Sequence, residues 1–237
     1  MMPSAPSFRS ALRAFSLMEL LVTIAVLSLL MALVFPLLGH IRERSREARC
    51  LQNLRQAGAL LITAVTEKGG VFPAWYSGST GGEFWNTWLV REKYLTLDGL
   101  EKLACPSIPY ADASGNYSGR HYGIYMPDTD RNLVNFQNEA GALTGRAYRI
   151  DFRRITEPAG TIFLADSVTS AGNPSVRIFR SNSASFPSGA FHSRHGGRAN
   201  LFFYDGHAES ASYTRLHSLG VSRVYDARLQ PVDLLNR

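Results

Sequence analysis

The sequence offers only two cysteines, Cys50 and Cys105, in 237 residues. That is too few for a disulfide framework or a four-ligand zinc site. Long blocks of like charge are also missing. The net charge of +6 is spread along the chain, and the densest basic run, Arg42 to Arg49, is broken by Glu43 and Glu47. Such alternation reads as a solvated helix face with local ion pairs. It lacks the one-sided clustering of a nucleic-acid footprint, so nucleic acid is excluded as a partner. No G-x-S-x-G nucleophile elbow occurs, which leaves Asp166-Ser167 and His192 or His195 as a coincidence of triad residue types. The stretch His195-Gly196-Gly197-Arg198 lacks the glycine–lysine spacing of a phosphate loop. Asn116-Tyr117-Ser118 matches a glycosylation sequon, a frequent chance match. Internal repeats and low-complexity runs are absent. The chain therefore reads as a non-enzyme, with room for one ordinary domain and an appendage.

What the chain does have is a long apolar front end. The first 14 residues hold Arg9 and Arg13 and no acid, and Leu20 to Leu38 carries no charge. A signal-peptide core spans only about 7–15 apolar residues. About 20 apolar residues approach the length that crosses a hydrocarbon core of about 30 Å. Leu37–His40 offers no small-x-small cleavage site, so length favours a signal anchor over a long cleaved signal peptide. The Lys and Arg count opposes export: Arg42, Arg44, Arg46 and Arg49 follow the span and outnumber Arg9 and Arg13, which would keep the C-terminal side in the cytoplasm. Glu19 sits near the start of the span, where a carboxylate costs about 2.5–3.5 kcal/mol on insertion scales.

The order of residues around that carboxylate is informative. Ala14-Phe15-Ser16-Leu17-Met18-Glu19-Leu20 resembles the processing site of type IV prepilins and type II secretion pseudopilins. In that family a short basic leader is cut just before a Phe, whose new amine is methylated, and an acid follows four residues later. The resemblance makes Ala14 and Phe15 the cleavage pair, Phe15 the methylation site, and Glu19 and Pro36 the assembly residues. Ala14 departs from the glycine usual there. The implied role of Glu19 is to pair with the amine of a neighbouring subunit, because a paired buried charge recovers much of its desolvation cost. The resemblance further implies a bacterial inner-membrane protein with a cytoplasmic leader. Its single-pass helix would carry a head in the periplasm or, within a fibre, outside the cell. The implied partners are like pilin subunits, a prepilin peptidase that also methylates, and an inner-membrane assembly platform.

The helix should continue past the membrane. Ile41, Ala48, Leu51, Leu54, Gly58, Leu61, Ile62 and Val65 recur at steps of three, four and seven, which gives one apolar face. Gly69-Gly70 supplies a stop, and Pro36 should bend the helix by removing a donor and crowding the preceding turn. The organisation expected is a leader over 1–14, a long helix over 15–69 with its membrane part at about 15–39, and a globular head over 70–237. In the head, Phe84–Tyr94 reads as a short helix. Thr161–Ala165, Val176–Arg180, Asn200–Tyr204 and Ala208–Tyr213 read as strands, and residues 106–138 as long loops with occasional strands. The expected fold is α+β and pilin-like, with a small antiparallel β-sheet laid against the helix.

The sharpest motif is HGGRANLFFYDGHAES, His195 to Ser210. Two β-runs flanking Asp205-Gly206 predict a hairpin with a tight type I′ turn. A His, nine residues and Asp-Gly also resembles the H-X9-DG signature of prepilin-like proteins, with His195, Asp205 and Gly206 in its fixed positions. Arg49-Cys50 followed by Asn53-Leu54-Arg55-Gln56, Cys105-Pro106-Ser107 and Leu164-Ala165-Asp166-Ser167 agree with that group. No cofactor is demanded. A metal is the open alternative, with Asp166, His195, Asp205 and His207 as its candidates: imidazole suits a transition ion, whereas calcium would take Asp166, Asp205 and loop carbonyls. The other expectation for His195 is a hydrogen bond that fixes the hairpin. Cys50 and Cys105 either form one bridge, which an exported head would favour, or remain two buried thiols. The rival to an assembling subunit is a monomeric, membrane-tethered periplasmic binding or metal-dependent domain.

Overall fold

Helix α1 runs from Leu17 to Glu67, 51 residues, in a computed structural model that describes residues 16–78, 81–108, 122–126, 134–137, 147–169, 172–175, 177–179 and 189–235. The leader, the Ala14–Phe15 pair and Asn116-Tyr117-Ser118 lie outside these residues. The chain divides into two compact units, Met1–Glu43 and Arg44–Arg237.

In the first unit, Leu17–Phe35 is a 19-residue apolar stretch with none of it buried, long enough to cross a membrane. Its hydroxyls are satisfied within the helix: Thr23 donates to the Leu20 carbonyl at 2.8 Å and Ser28 to that of Ile24 at 2.7 Å. Hydrocarbon offers no other partner for such groups. Ser16 and Glu19 close the start of the helix. Ser16 Oγ accepts from the Met18 N–H at 3.3 Å, and the Glu19 carboxylate accepts from the Ser16 N–H at 3.0 Å. Ser16 thus caps the N2 donor, and Glu19, three residues on, reaches back to the N-cap N–H as the return leg of an S-x-x-E capping box. The backbone stays helical through Pro36, whose side chain is outside the description.

In the second unit the buried face of α1 is Cys50, Leu54, Ala57, Leu61, Ala64 and Val65, all fully buried. The face coincides with the one read in the sequence at Leu54, Gly58, Leu61 and Val65 and departs from it elsewhere: Ile41 and Ala48 are exposed, and Leu51 and Ile62 are only half-buried. Small residues, not only large ones, mark the contact. Gly58 makes the closest approach, since a Cβ there would lie 2.2 Å from Cε1 of Phe202. The helix ends as Gly69-Gly70 predicts. The Gly70 N–H reaches the Val65 carbonyl at 2.8 Å and that of Gly69 reaches Thr66 at 3.2 Å, a Schellman stop with φ of 89° and 80° at the two glycines.

The remaining elements are β1 (Val71–Gly78), β2 (Gly81–Glu83), α2 (Trp85–Arg91), α3 (Leu97–Lys102), β3 (Gly123–Met126), β4 (Val134–Gln137), β5 (Ala147–Asp151), β6 (Ile162–Ala165), β7 (Ser167–Val168), β8 (Arg177–Phe179), β9 (Ala190–Ser193), β10 (Ala199–Phe203), β11 (Ala208–Ala211), α4 (Tyr213–Ser218), β12 (Arg223–Asp226) and β13 (Pro231–Asp233). The fold is thus α+β, with the expected helix near Phe84–Tyr94 and strands close to all four β-prone runs. Ala208–Tyr213 is shorter than expected, because Ser212 caps α4 by accepting from the Arg215 N–H. Instead of one small sheet, the described strands form three, ordered β2-β1-β5-β4, β11-β10-β6-β3-β8 and β13-β12-β9-β7. Antiparallel pairs dominate, and β3–β8 and β9–β12 run parallel.

Two cores meet at β10. Phe202 joins the α1 face, Phe72, Trp85, Trp88 and Phe163 in one. Leu201 and Phe203 join Ile162, Leu216 and Val224 in the other. A strand buried on both faces reads as a continuous apolar run, and NLFFY is such a run. Polar ties hold α1 to β11: Ser210 donates to the Glu47 carboxylate at 2.7 Å and Arg55 to the Ala208 carbonyl at 3.1 Å.

The hairpin β10–β11 is present, but its turn is not type I′. That turn would need positive φ at both Asp205 and Gly206, and of the two only Gly206 has it, at 91°. The Phe203 N–H bonds the His207 carbonyl, and Gly206 N–H bonds that of Phe203. The loop is therefore three residues long, with glycine in the left-handed position. The two-residue turn with two positive φ values lies earlier, at Gly196 (59°) and Gly197 (82°). There His195 and Arg198 exchange backbone hydrogen bonds at 3.2 and 3.0 Å, the type I′ arrangement.

Candidate functional site

The spacing from His195 to Asp205-Gly206 measures one strand with a turn at each end. Gly196-Gly197 enters β10, and Tyr204-Asp205-Gly206 leaves it. The five residues of β10 separate the ends by about 13 Å at 3.3–3.4 Å per residue. His195 and Asp205 therefore cannot serve one site. Asp205 instead accepts from the backbone N–H and the ring Nδ1 of His207, while the His207 ring stacks on Phe203 at 4.1 Å. Against a burial penalty, these bonds hold the Asp205 carboxyl below its ordinary value. The candidate set Asp166, His195, Asp205 and His207 is thus split in two. The calcium shell built on Asp166 with Asp205 is not assembled.

At its other end the motif is buried. His195 lies between β9 and β10, and Asp166 lies between β6 and β7. Because β6 pairs with β10 and β7 with β9, both residues sit where the chain crosses from one sheet to another. Asp166 is held there by three bonds. Its N–H donates to the Asn200 carbonyl at 3.0 Å, its carbonyl accepts from His192 at 3.0 Å, and its carboxylate accepts from the Asn200 N–H at 2.8 Å.

Cys50 and Cys105 complete this junction. Cys50 opens the buried face of α1. Cys105 follows α3 on a segment that Asn53, one helical turn after Cys50, grips by donating to the carbonyls of Lys102 at 3.1 Å and Ala104 at 2.8 Å. The ligand atoms of Cys50, Cys105, Asp166 and His195 all lie within 4.8 Å of one another, and no member is more than 2% exposed. Cys50 Sγ is 3.4 Å from Asp166 Oδ1, Cys105 Sγ is 3.6 Å from His195 Nε2, and His195 Nε2 is 3.6 Å from Asp166 Oδ2. Of the two expectations for the cysteines, a bridge or two buried thiols, the structure has the second: both are free and buried.

Other residues surround the four. The Tyr122 hydroxyl donates to the Cys50 carbonyl at 2.8 Å and lies 3.4 Å from its sulfur, and its own carbonyl accepts from Trp85 Nε1 at 2.9 Å. Arg194, almost wholly buried, places Nε 3.7 Å from Asp166 and donates to the Ser167 carbonyl at 2.7 Å. A buried charge demands such a partner. The sulfurs differ in acidity. Burial pushes the Cys50 thiol up, whereas the hydrogen bond from Cys50, aided by His195, outweighs burial and brings Cys105 down to about 6. For His195, burial works downward but is outweighed by Cys105 and Asp166, and the imidazole is raised.

The triad residue types do not converge. Ser167 Oγ donates to the Ser175 carbonyl, and His192 Nε2 donates to that of Asp226 at 3.1 Å. From the sequence, Asp166 and His195 are metal candidates, whereas Cys50 and Cys105 are expected as a bridge or as two buried thiols, apart from any metal. Sequence reasoning also missed Tyr122, Arg194 and Asn200. A signal was nevertheless there: Arg49-Cys50, Cys105-Pro106, Asp166-Ser167 and His195 each contribute one member of the cluster. Comparison with protein-family models, with curated proteins and with solved structures gives no match.

Proposed function

We propose that this chain is a prepilin-like structural subunit, cleaved after Ala14 and methylated on Phe15. It would assemble through its N-terminal helix into a type II secretion pseudopilus or type IV pilus-like fibre. The observation that carries this reading is the composition of α1. One 51-residue helix combines a 19-residue apolar span, a lone carboxylate in its first turn, and a later face buried in an α+β head. A helix built to sit in lipid at one end and to serve as the spine of a head at the other suits a pilin-like fold. The protein would sit in the bacterial inner membrane with its head exported. Like subunits, the processing peptidase and an assembly platform would be its partners.

Glu19 carries the assembly step. In the single chain its carboxylate closes the capping box with Ser16, and its Ser16 partner is an amide that remains after the leader is removed. Assembly would add the methylated amine of a neighbour. Glutamine keeps a capping box but not a charge pair, so Glu19→Gln separates the two roles. The proposal expects Glu19→Gln to be exported and processed like the parent yet left out of fibres. Incorporation of Glu19→Gln at parental levels overturns the pairing.

A monomeric membrane-tethered head is the second reading, favoured by the buried Cys50–Cys105–Asp166–His195 cluster. It expects no fibre contacts from either version of residue 19.

A further inference from the structure

We propose that Cys50, Cys105, Asp166 and His195 form a structural zinc site that fastens the head to α1. Two cysteines do not fill a four-ligand zinc site by themselves, but the His195 imidazole and the Asp166 carboxylate supply the other two donors, a mixed set that suits zinc and not calcium, which takes oxygen ligands. Around tetrahedral zinc, with Zn–S of about 2.3 Å and Zn–N or Zn–O of about 2.0–2.2 Å, neighbouring ligand atoms stand about 3.4–3.8 Å apart. The Cys105–His195 contact of 3.6 Å falls in that range, as does the Asp166 carboxylate whether it binds through Oδ1, 3.4 Å from Cys50, or through Oδ2, 3.6 Å from His195, and the four ligand atoms together lie within 4.8 Å of one another. The four groups come from α1, from the segment after α3, and from both strand crossings. One cation would therefore tie together elements far apart in sequence.

Charge and access agree with this assignment. Zinc displaces two protons, the one on Cys50 and the one shared between Cys105 and His195, so a dication replaces two protons and the net charge of the pocket is unchanged. The Asp166 carboxylate and Arg194 guanidinium balance each other before and after. The Asn200 N–H on Asp166 and the Tyr122 hydroxyl beside Cys50 are the outer hydrogen bonds that orient zinc ligands. Catalytic zinc keeps an open position for water or substrate. Here all four ligands are at most 2% exposed, so the site is closed and its role is to hold the fold. The inference does not depend on the pilin reading, because zinc content is measured whether or not the leader is cut.

The test uses the full chain, extracted in detergent without chelator. Elemental analysis should find one zinc per chain, retained on desalting. Chelator under denaturing conditions should then expose two alkylatable thiols, with no loss of two mass units. Cobalt(II) added to the stripped and refolded chain should give thiolate-to-cobalt charge-transfer absorption and a tetrahedral visible spectrum. Cys105→Ser and His195→Ala should lose the metal, whereas His207→Ala and Asp205→Asn, at the far end of β10, should keep it. Because a ligand variant can fail to fold, the cobalt spectrum of the parent chain stands as an independent readout. A Cys50–Cys105 disulfide in the extracted protein overturns the proposal. So does a chain with two free thiols that takes up neither zinc nor cobalt.

Discussion

Phe202 lies flat against Gly58, so close that a Cβ on the glycine would stand 2.2 Å from the ring. This contact sets how near α1 comes to β10, and it explains why a helix tolerates glycine there. Alanine would add about 1 kcal/mol of helix propensity, while overpacking a close core contact costs about 1–3 kcal/mol. The clash outweighs the propensity. Gly58→Ala should lower Tm, and Phe202→Leu added to it should recover part of the loss. A double-mutant cycle by thermal melting reads the coupling directly.

Gly196 and Gly197 both hold positive φ, and neither has a heavy atom closer than 3.8 Å to a would-be Cβ. Their requirement is conformational, not steric. A left-handed non-glycine residue costs about 1–2 kcal/mol, so Gly196→Ala and Gly197→Ala should each destabilise by about that amount. Gly196→Asn should cost less than Gly196→Val, because asparagine tolerates this region. Chemical denaturation of the four variants checks the ranking.

Asn53 uses one amide group to hold two carbonyls, those of Lys102 and Ala104. Asn53→Ala leaves them without that donor. Each intramolecular hydrogen bond contributes about 0.5–1.5 kcal/mol, so the variant should lose about 1–3 kcal/mol. The segment leading to Cys105 should also exchange its amides faster, which hydrogen exchange can localise.

Burial, with help from the Arg194 charge, pushes His192 down to about 3, while its ring donates to the Asp226 carbonyl. The unfolded chain, with a histidine pKa near its ordinary value of 6.5, binds this proton more readily than the folded one. Stability therefore rises with pH across the interval between the two values and falls as pH drops from about 6.5 toward 3. His192→Gln removes this contribution. Its melting temperature should vary less with pH between 6.5 and 4 than that of the parent, and equal slopes would contradict the assignment.

Much of the architecture was legible because it rests on local signals. The Gly69-Gly70 stop, the helix at Trp85–Arg91 and the strands at Ile162–Ala165 and Ala199–Phe203 follow from glycine geometry and apolar runs. Errors arose where two residues compete for one local pattern. Asp205-Gly206 and Gly196-Gly197 are both turn dipeptides, and only the backbone tells which takes the two-residue form. The α1 face is legible at Leu54, Gly58, Leu61 and Val65 but not at Cys50, Ala57 and Ala64, which are small and carry little hydrophobic weight although they lie at the contact. The buried cluster was out of reach for another reason. Its members are separated by as many as 145 positions, from Cys50 to His195, and they meet only because two strand pairs cross between sheets.

The central claim is that the chain is processed as a prepilin, and the mass of its N-terminal peptide, taken from membranes of the native host, tests it most directly. The account predicts a peptide that begins at Phe15 and is heavier by one methyl group. An intact chain that still carries the first 14 residues would contradict it and leave α1 a simple tether.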